Sequence, residues 1–397
     1  MSWGLPPQSG ARRPTRLRSR SPPPGPPDID GEIEDDEWVG AQVAADFIQF
    51  EPNRGAPSPN RTEARLLYSD THLYVAFRVW DDEPLTAQLT SRDANLFEDD
   101  SVIVVLDTFR DRQTGYGIMT NPLGTQTDGR ISDDGRSSDT AWDADWSSAA
   151  MRTPYGWSAE MAIPLKSLQY RSGPNQSWGI NFGRSRRRSL ELSFWSGPLD
   201  ARFRVSQAGE LARLDVKGPE KRYQVIPFGL SRAELGEAPY WQAGVDARFA
   251  ITPSTAAYGT VNPDFATVEA DREEINLTRF ELQLPQKRQF FLEGQEHFRQ
   301  RIRTFYSRRI GDIDAGGKLL AKEGPWGGAV VSTTTPATDS AAAAAYSVVR
   351  VARDVGRRSV VGALAADRTR DGQSQGSVGL DTRTCATPIS AIASPIT

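Results

Sequence analysis

Two tryptophans interleaved with two aspartates form the stretch most suited to ligand chemistry: Trp142, Asp143, Asp145 and Trp146. A flat aromatic ring can cover the apolar face of a sugar, and a carboxylate can accept hydrogen bonds from the sugar hydroxyl groups. The same pattern arises where one tryptophan packs into a core and the aspartates cap turns. We favour this second interpretation of the stretch, and we keep Trp142 as a candidate sugar contact.

Acidic residues suggest two other kinds of chemistry. Asp99 and Asp100 could hold a structural calcium ion through their carboxylate oxygens, or they could lie in a solvated turn before a buried strand. Glycoside hydrolysis requires two carboxyl groups that flank the scissile bond, and the sequence does not place Glu98 opposite Glu160. We therefore predict no catalytic residues, and no cofactor other than this calcium alternative.

The composition excludes several classes of protein. The chain has 397 residues, enough for two or three domains, and 38% of them are hydrophobic. Its formal net charge of -4 gives no argument for nucleic-acid binding. The single cysteine, Cys385, excludes an intrachain disulfide and a cysteine-based zinc site.

Residues 1–27 are rich in proline, arginine and serine, and they are predicted to be a disordered tail. They lack the apolar stretch of a signal peptide. No run in the chain approaches the ~18 apolar residues of a membrane-spanning helix. The first ordered structure is therefore expected after residue 27.

Residues 28–216 contain many short runs that favour β-strands. Residues 64–68 and 73–80 read as the two strands of a hairpin. The near-continuous apolar run at residues 101–106 predicts a strand that is buried on both faces. Because no helical periodicity persists over ~12 residues, we predict an all-β fold that begins with an antiparallel, jelly-roll-like β-sandwich.

Residues 222–383 have longer strands in which apolar and polar positions alternate, most strictly at residues 241–249. Further strand pairs are predicted at residues 318–322 with 326–332, and at 346–353 with 359–367. Such strands with short polar turns are typical of a transmembrane β-barrel, and a soluble meander would look similar. We predict an incomplete antiparallel barrel or meander, followed by a disordered or out-of-frame tail at residues 384–397.

The first region resembles the family 9-like carbohydrate-binding domain over residues 29–214. The matching blocks are Asp30-Gly31 with Trp38, Leu73-Tyr74-Val75-Ala76-Phe77, Asp99-Asp100-Ser101-Val102 with Leu106-Asp107, and Trp157-Ser158-Ala159-Glu160-Met161-Ala162-Ile163-Pro164. This resemblance implies a sandwich that binds a polysaccharide or an oligosaccharide.

The second region resembles the domain of unknown function that follows this module in bacterial envelope proteins. The matching blocks are Val261-Asn262-Pro263-Asp264-Phe265, Val268-Glu269-Ala270-Asp271, Asn276-Leu277-Thr278-Arg279-Phe280, Lys287-Arg288, Phe290-Phe291-Leu292-Glu293-Gly294 and Phe305-Tyr306-Ser307-Arg308-Arg309-Ile310-Gly311. The resemblance implies an outer-membrane barrel bearing a periplasmic or surface sandwich. It also implies that the chain is incomplete, because full members carry more strands.

The resemblance also locates a sugar site. Sugar-binding members clamp the sugar between two tryptophans with a glutamate nearby. Here Phe97 occupies the first tryptophan position and Ile103 the glutamate position. The second tryptophan has no clean counterpart, although Trp195 lies in the same late region. The resemblance therefore implies sugar contacts from Phe97, Glu98 and Trp195.

Three functions follow from these observations as alternatives. The first is non-catalytic carbohydrate binding by a sandwich attached to an outer-membrane-type barrel, linked to carbohydrate catabolism. The second is a structural or transport-associated envelope protein whose sandwich has lost sugar binding. The third is a part of a glycoside hydrolase.

Overall fold

The structure is a computed structural model in which the chain divides into two units, Met1–Glu220 and Lys221–Thr397. It describes residues 16–18, 25–140, 142–218, 222–232, 240–263, 289–298, 300, 304–338, 342–355 and 359–383. The predicted tail at 384–397 and the sequence blocks between 264 and 288 lie outside the described residues.

The first unit contains fourteen strands in its described part. In chain order they are β1 (Arg16–Arg18), β2 (Gln42–Ala44), β3 (Ile48–Glu51), β4 (Thr62–Tyr68), β5 (His72–Trp80), β6 (Ser101–Asp107), β7 (Gly115–Thr120), β8 (Gln126–Ser132), β9 (Ser137–Asp139), β10 (Ser147–Thr153), β11 (Gly156–Pro164), β12 (Gly173–Arg186), β13 (Glu191–Phe194) and β14 (Gly209–Val216). They form the predicted all-β unit.

These strands make two sheets. The larger sheet has the order β1-β14-β12-β6-β7-β8-β9, with β13 bonded to β12 and β3. The smaller sheet has the order β10-β11-β5-β4-β2. The predicted hairpin of β4 and β5 is confirmed, with Tyr68 opposite Leu73. The sheets pack face to face, so Phe77 of the smaller sheet meets Phe182 of the larger one at 5.8 Å between ring centroids.

Strand β6 is buried on both faces, as the sequence predicted. Val102, Val104 and Leu106 face the core between the sheets. Ile103 and Val105 belong to a second apolar cluster on the outer face of the larger sheet. We call it the outer cluster; its buried residues are Leu96, Ile103, Val105, Met119, Ile131, Leu192, Phe194, Leu199 and Val205.

Residues 16–18 lie inside the segment whose composition predicted a disordered tail, yet they form β1. This strand pairs in parallel with Glu210, Leu211 and Ala212 of β14. The physical reason lies in Leu17, which is buried and packs into the core between the sheets. One apolar residue in a basic run is a signal too short to stand out from sequence alone.

The second unit contains an eight-stranded antiparallel sheet, as predicted for a meander. Its strands are β15 (Arg222–Arg232), β16 (Tyr240–Thr252), β17 (Thr255–Val261), β18 (Ala315–Glu323), β19 (Trp326–Thr335), β20 (Ala344–Val355), β21 (Ser359–Arg370) and β22 (Gln373–Arg383). They are hydrogen-bonded in chain order. A short helix, α1 (Gln289–Leu292), lies between β17 and β18 in the chain.

One face of this sheet is covered by its own chain. Phe290, Phe291 and Ile310 pack there against Val331 and Val348 in a buried apolar cluster. Within the described residues, no helix is long and apolar enough to cross a membrane.

Candidate functional site

The first and last sequence blocks of the sandwich meet around the buried carboxyl group of Glu160. Its Oε1 accepts a hydrogen bond from Trp38 Nε1 at 2.8 Å. Its Oε2 accepts hydrogen bonds from the backbone N–H groups of Gly31 at 3.1 Å and Asp30 at 3.3 Å. Burial raises the pKa of Glu160 to about 7, although these donors favour the ionised form. The cluster fastens the first ordered segment onto the smaller sheet, so its role is structural.

Gly31 is required in this cluster for steric reasons. Its φ of 94° lies in the left-handed region, and a Cβ atom there would stand 2.8 Å from the backbone of Ala150. A side chain at this position would push the first segment off the sheet.

Asp99 and Asp100 are buried and hold the chain in place. Asp99 Oδ2 accepts hydrogen bonds from the backbone N–H groups of Gln88 and Leu89 and from the amide of Asn121. Asp100 accepts hydrogen bonds from the backbone N–H groups of Thr86 and Arg187. The interpretation of these residues as a solvated turn is therefore wrong, because two buried carboxylates anchor distant loops.

The calcium alternative gains no support from this arrangement. The oxygens of Asp99 and Asp100 are directed at N–H donors, which a cation would have to displace. In the described part of the chain, no group of three or more His, Cys, Asp or Glu side chains could hold a metal ion.

Phe97 lies on a 3-10 turn, Leu96–Glu98, just before β6. Its ring is half-buried and packs against the outer cluster, with the ring of Phe203 at 5.8 Å between centroids. The guanidinium of Arg202 lies over the Phe97 ring, 4.7 Å from the centroid. An aromatic ring with a cation on its face is thus presented at the surface of the larger sheet.

Further charged side chains are linked to this ring through Arg202 and through the adjacent residue Glu98. Glu98 pairs with Arg187 at 2.5 Å, and Arg202 pairs with Glu51 at 3.2 Å. All four charged side chains are at least partly open to solvent. We define the Phe97 surface as Phe97, Glu98, Arg187, Arg202 and Glu51. It combines an aromatic ring with donors and acceptors that suit sugar hydroxyl groups.

Two families match this chain. Residues 29–185 match the family described as carbohydrate family 9 binding domain-like. Residues 221–323 match a domain of unknown function, DUF5916. The two parts of the chain are thus similar to two different families, and we call the matched regions the family 9-like domain and the DUF5916 domain. This confirms both resemblances that were identified from the sequence blocks.

Two solved structures are similar to about half of the chain. One is a candidate carbohydrate-binding protein from Bacteroides uniformis ATCC 8492, with 13% identity, a TM-score of 0.42, and coverage of 50% of this chain and 99% of that one. The other is a carbohydrate binding module of family 9 from Caldicellulosiruptor kristjanssonii in complex with cellotriose, with 19% identity, a TM-score of 0.35, and coverage of 51% and 94%. None of the curated proteins compared with the chain matches it.

The family 9-like domain does not bring Phe97 and Trp195 together. Trp195 is buried in the core between the sheets, 5.7 Å from the ring of Phe182. Phe97 packs on the outer face of the same sheet. The two aromatic rings therefore lie on opposite faces of the larger sheet, and they cannot clamp one sugar between them in this arrangement.

Trp142 also lies away from Phe97. It is half-buried, packs against the core between the sheets, and stands 4.7 Å from the ring of Tyr116. Its neighbour Trp146 is buried and donates a hydrogen bond from Nε1 to Asp128 at 2.8 Å. This packing is what the favoured interpretation of the stretch predicted for one of the two tryptophans.

The aspartates between these tryptophans are exposed and paired with basic side chains. Asp143 pairs with Arg92 at 2.5 Å, and Asp145 pairs with Lys166 at 3.3 Å. Arg92 also contacts the buried carboxylate of Asp128 at 2.7 Å, and burial raises the pKa of Asp128 to about 6. Arg92 thus joins the loop that contains Asp143 to Asp128 of β8.

Ile103, at the glutamate position of the sugar-binding members, is fully buried in the outer cluster. Leu199, Val205 and Phe203 come from the segment that follows β13 and pack over this face. The chain itself thus fills the space beside Ile103.

Sequence reasoning missed Arg202, Arg187 and Glu51, which complete the Phe97 surface. They come from three segments that are distant in the chain, and no local motif marks them. Glu98 and Glu160 are attached to different sheets, so the structure does not form the facing carboxyl pair that hydrolysis requires.

Proposed function

We propose that the family 9-like domain binds carbohydrate without catalysis, and that the Phe97 surface makes the contact. The match over residues 29–185 supports the function. The observation that carries the location is the half-buried Phe97 ring with Arg202 above it and Glu98 beside it. A sugar could place its apolar face on the ring and its hydroxyl groups on the charged side chains.

The guanidinium of Arg202 covers one face of the Phe97 ring. When a sugar binds, Arg202 must therefore move away from the ring or contact only a part of this face. This change costs little. The Arg202–Glu51 pair is exposed, with 43% and 48% of the two side chains accessible, and exposed pairs contribute about 0–1 kcal/mol. Once displaced, the guanidinium remains close enough to donate hydrogen bonds to the sugar.

Affinity-gel electrophoresis of the full chain tests this location. Phe97→Ala should weaken retardation by a polysaccharide about tenfold, since complete burial of a Phe side chain contributes ~1.5–3 kcal/mol and a bound sugar would cover the part of this half-buried ring that is still open. Phe97→Trp should keep or strengthen retardation, because it restores the larger ring of the sugar-binding members.

Met151→Ala serves as the matched control, because Met151 is an exposed apolar residue of β10 in the other sheet. The location is wrong if Phe97→Ala and Met151→Ala retard like the wild type. Equal melting temperatures would show that all variants are folded.

For the DUF5916 domain, we propose a place in the wall of an outer-membrane-type barrel of a bacterial envelope, in a protein linked to carbohydrate catabolism. The support is a row of apolar residues that crosses all eight strands on one face. Neighbouring strands pair these residues directly. We call it the Phe249 row; it consists of Tyr223, Phe249, Ala257, Leu319, Val330, Val349, Ala365 and Val378.

The two faces of this sheet differ as a membrane wall requires. Large side chains of the Phe249 row are exposed, with 79% of Tyr223 and 76% of Val378 accessible. The opposite face holds charged groups, including Lys318, which lies 4.5 Å from the ring centroid of Tyr258, and the Arg350–Asp381 ion pair. Apolar residues outside and polar residues inside are the pattern of barrel strands in lipid.

A second function has one observation in its favour. Ile103 replaces the family's glutamate and lies under the segment that contains Leu199 and Val205. A sandwich closed in this way suits a structural or transport-associated role without sugar binding. The electrophoresis experiment separates the two functions, since this alternative predicts no retardation.

A further inference from the structure

A cavity of about 300 Å³ opens in the family 9-like domain at the end of β6 opposite to the Phe97 surface. Its polar lining residues include Asp107, Arg112, Ser196, Gln207 and Glu210. The volume is at the lower end of the range for small-molecule sites, which suits a single sugar ring. The cavity includes none of the sugar contacts that were predicted from the sequence, namely Phe97, Glu98, Trp142 and Trp195.

Asp107 gives the cavity a fixed acidic wall. Its side chain is almost fully buried, with 1% of the residue accessible. The carboxylate accepts hydrogen bonds from the backbone N–H groups of Asp111 at 3.1 Å and Arg112 at 2.8 Å. These bonds hold the turn after β6, in which Arg112 adopts a φ of 61°. The turn thereby keeps Arg112 at the cavity lining.

The two arginines that line the cavity differ in their pairing. Glu210 pairs with Arg110 at 2.9 Å and with Arg16 at 3.6 Å. No acidic side chain among the described residues forms an ion pair with Arg112. Of the two arginines that line the cavity, Arg110 is thus paired with Glu210. The guanidinium of Arg112 is the one that can take the charge of a bound anion.

We infer that this cavity binds an acidic sugar, a hexuronate residue. Its carboxylate would pair with the guanidinium of Arg112, in the two-point geometry that arginine offers to carboxylates. Its hydroxyl groups would donate to the Asp107 carboxylate and exchange hydrogen bonds with Ser196 and Gln207. The inference deepens the proposed function, because it adds an acidic sugar to the ligands of the same domain.

Isothermal titration calorimetry of the full chain with glucuronate, glucose and acetate tests the inference. Glucuronate should bind. Glucose and acetate should bind at least about tenfold more weakly, because glucose lacks the carboxylate and acetate lacks the hydroxyl groups. Arg112→Gln should weaken glucuronate binding at least about tenfold. Arg112→Lys should retain more affinity than Arg112→Gln, because it keeps the charge.

Arg152→Gln is the control, since Arg152 is an exposed arginine of β10 in the other sheet. It should bind glucuronate like the wild type. Melting temperatures equal to that of the wild type would show that the variants are folded.

Three results would overturn the inference: no heat with glucuronate, equal affinity in Arg112→Gln and the wild type, or acetate binding as tightly as glucuronate. A failure of the proposed function would be seen in a different experiment. Neutral polysaccharides would then retard Phe97→Ala as they retard the wild type, independently of the calorimetry with glucuronate.

Discussion

At the residue scale, a few buried polar side chains determine how the family 9-like domain holds its loops. Glu160 joins Asp30, Gly31 and Trp38 to the smaller sheet. Asp99 and Asp100 hold residues 86–89 and the turn at Arg187 next to the start of β6 by hydrogen bonds. These residues of the family's sequence blocks therefore have a structural role. The residues of the Phe97 surface lie partly outside the blocks.

Glu160 makes stability depend on pH. Its pKa is about 7 in the folded chain because of burial, against an ordinary value of 4.5. A raised carboxyl pKa means that the folded state binds more protons than the unfolded state between these values. The contribution is fully present below about pH 4.5, and it is lost as the pH rises through about 7. The loss is of the order of 3 kcal/mol.

Glu160→Gln removes this titration. We expect the unfolding free energy of the wild type, minus that of the variant, to fall as the pH rises from about 4.5 to 7. Urea unfolding followed by tryptophan fluorescence at several pH values measures the difference, and groups common to both proteins cancel. A difference that stays constant or grows with pH would show that Glu160 is not the titrating group.

At the element scale, local patterns predicted the strands well, and long-range geometry was beyond them. The apolar run of β6 and the turn between β4 and β5 are encoded by neighbouring residues, so both were predicted. The positions of Phe97 and Trp195 were not. Whether two aromatic residues share a face depends on the path of the chain between distant strands, which no local pattern specifies.

The prediction at the element scale concerns the Phe249 row. Val349→Arg places a charge in the middle of the apolar row on β20, and a charge on a lipid-facing position costs ~2–4 kcal/mol. Flotation of the full chain with phosphatidylcholine vesicles should show at least about tenfold less bound protein for this variant.

Ser347→Arg is the control on the same strand and face, two positions away in a polar row. Its effect on flotation should be smaller than that of Val349→Arg. Wild-type protein that fails to float, or two variants with equal effects, would argue against a lipid-facing row.

At the scale of the whole molecule, the chain combines a ligand-binding type of domain with a sheet of a different character. The first unit has its apolar residues in a core and an outer cluster, and its open surfaces carry charged and aromatic groups. The second unit leaves a row of large apolar side chains exposed. This contrast is the reason why we propose carbohydrate binding for the first unit and membrane association for the second.

The most direct test of the central claim is affinity-gel electrophoresis of the full chain against a panel of neutral and acidic polysaccharides, with an assay for new reducing ends in the same samples. We predict that at least one polysaccharide retards the chain and that no reducing ends are released. Unretarded migration on the whole panel, or retardation accompanied by release of reducing ends, would contradict non-catalytic carbohydrate binding.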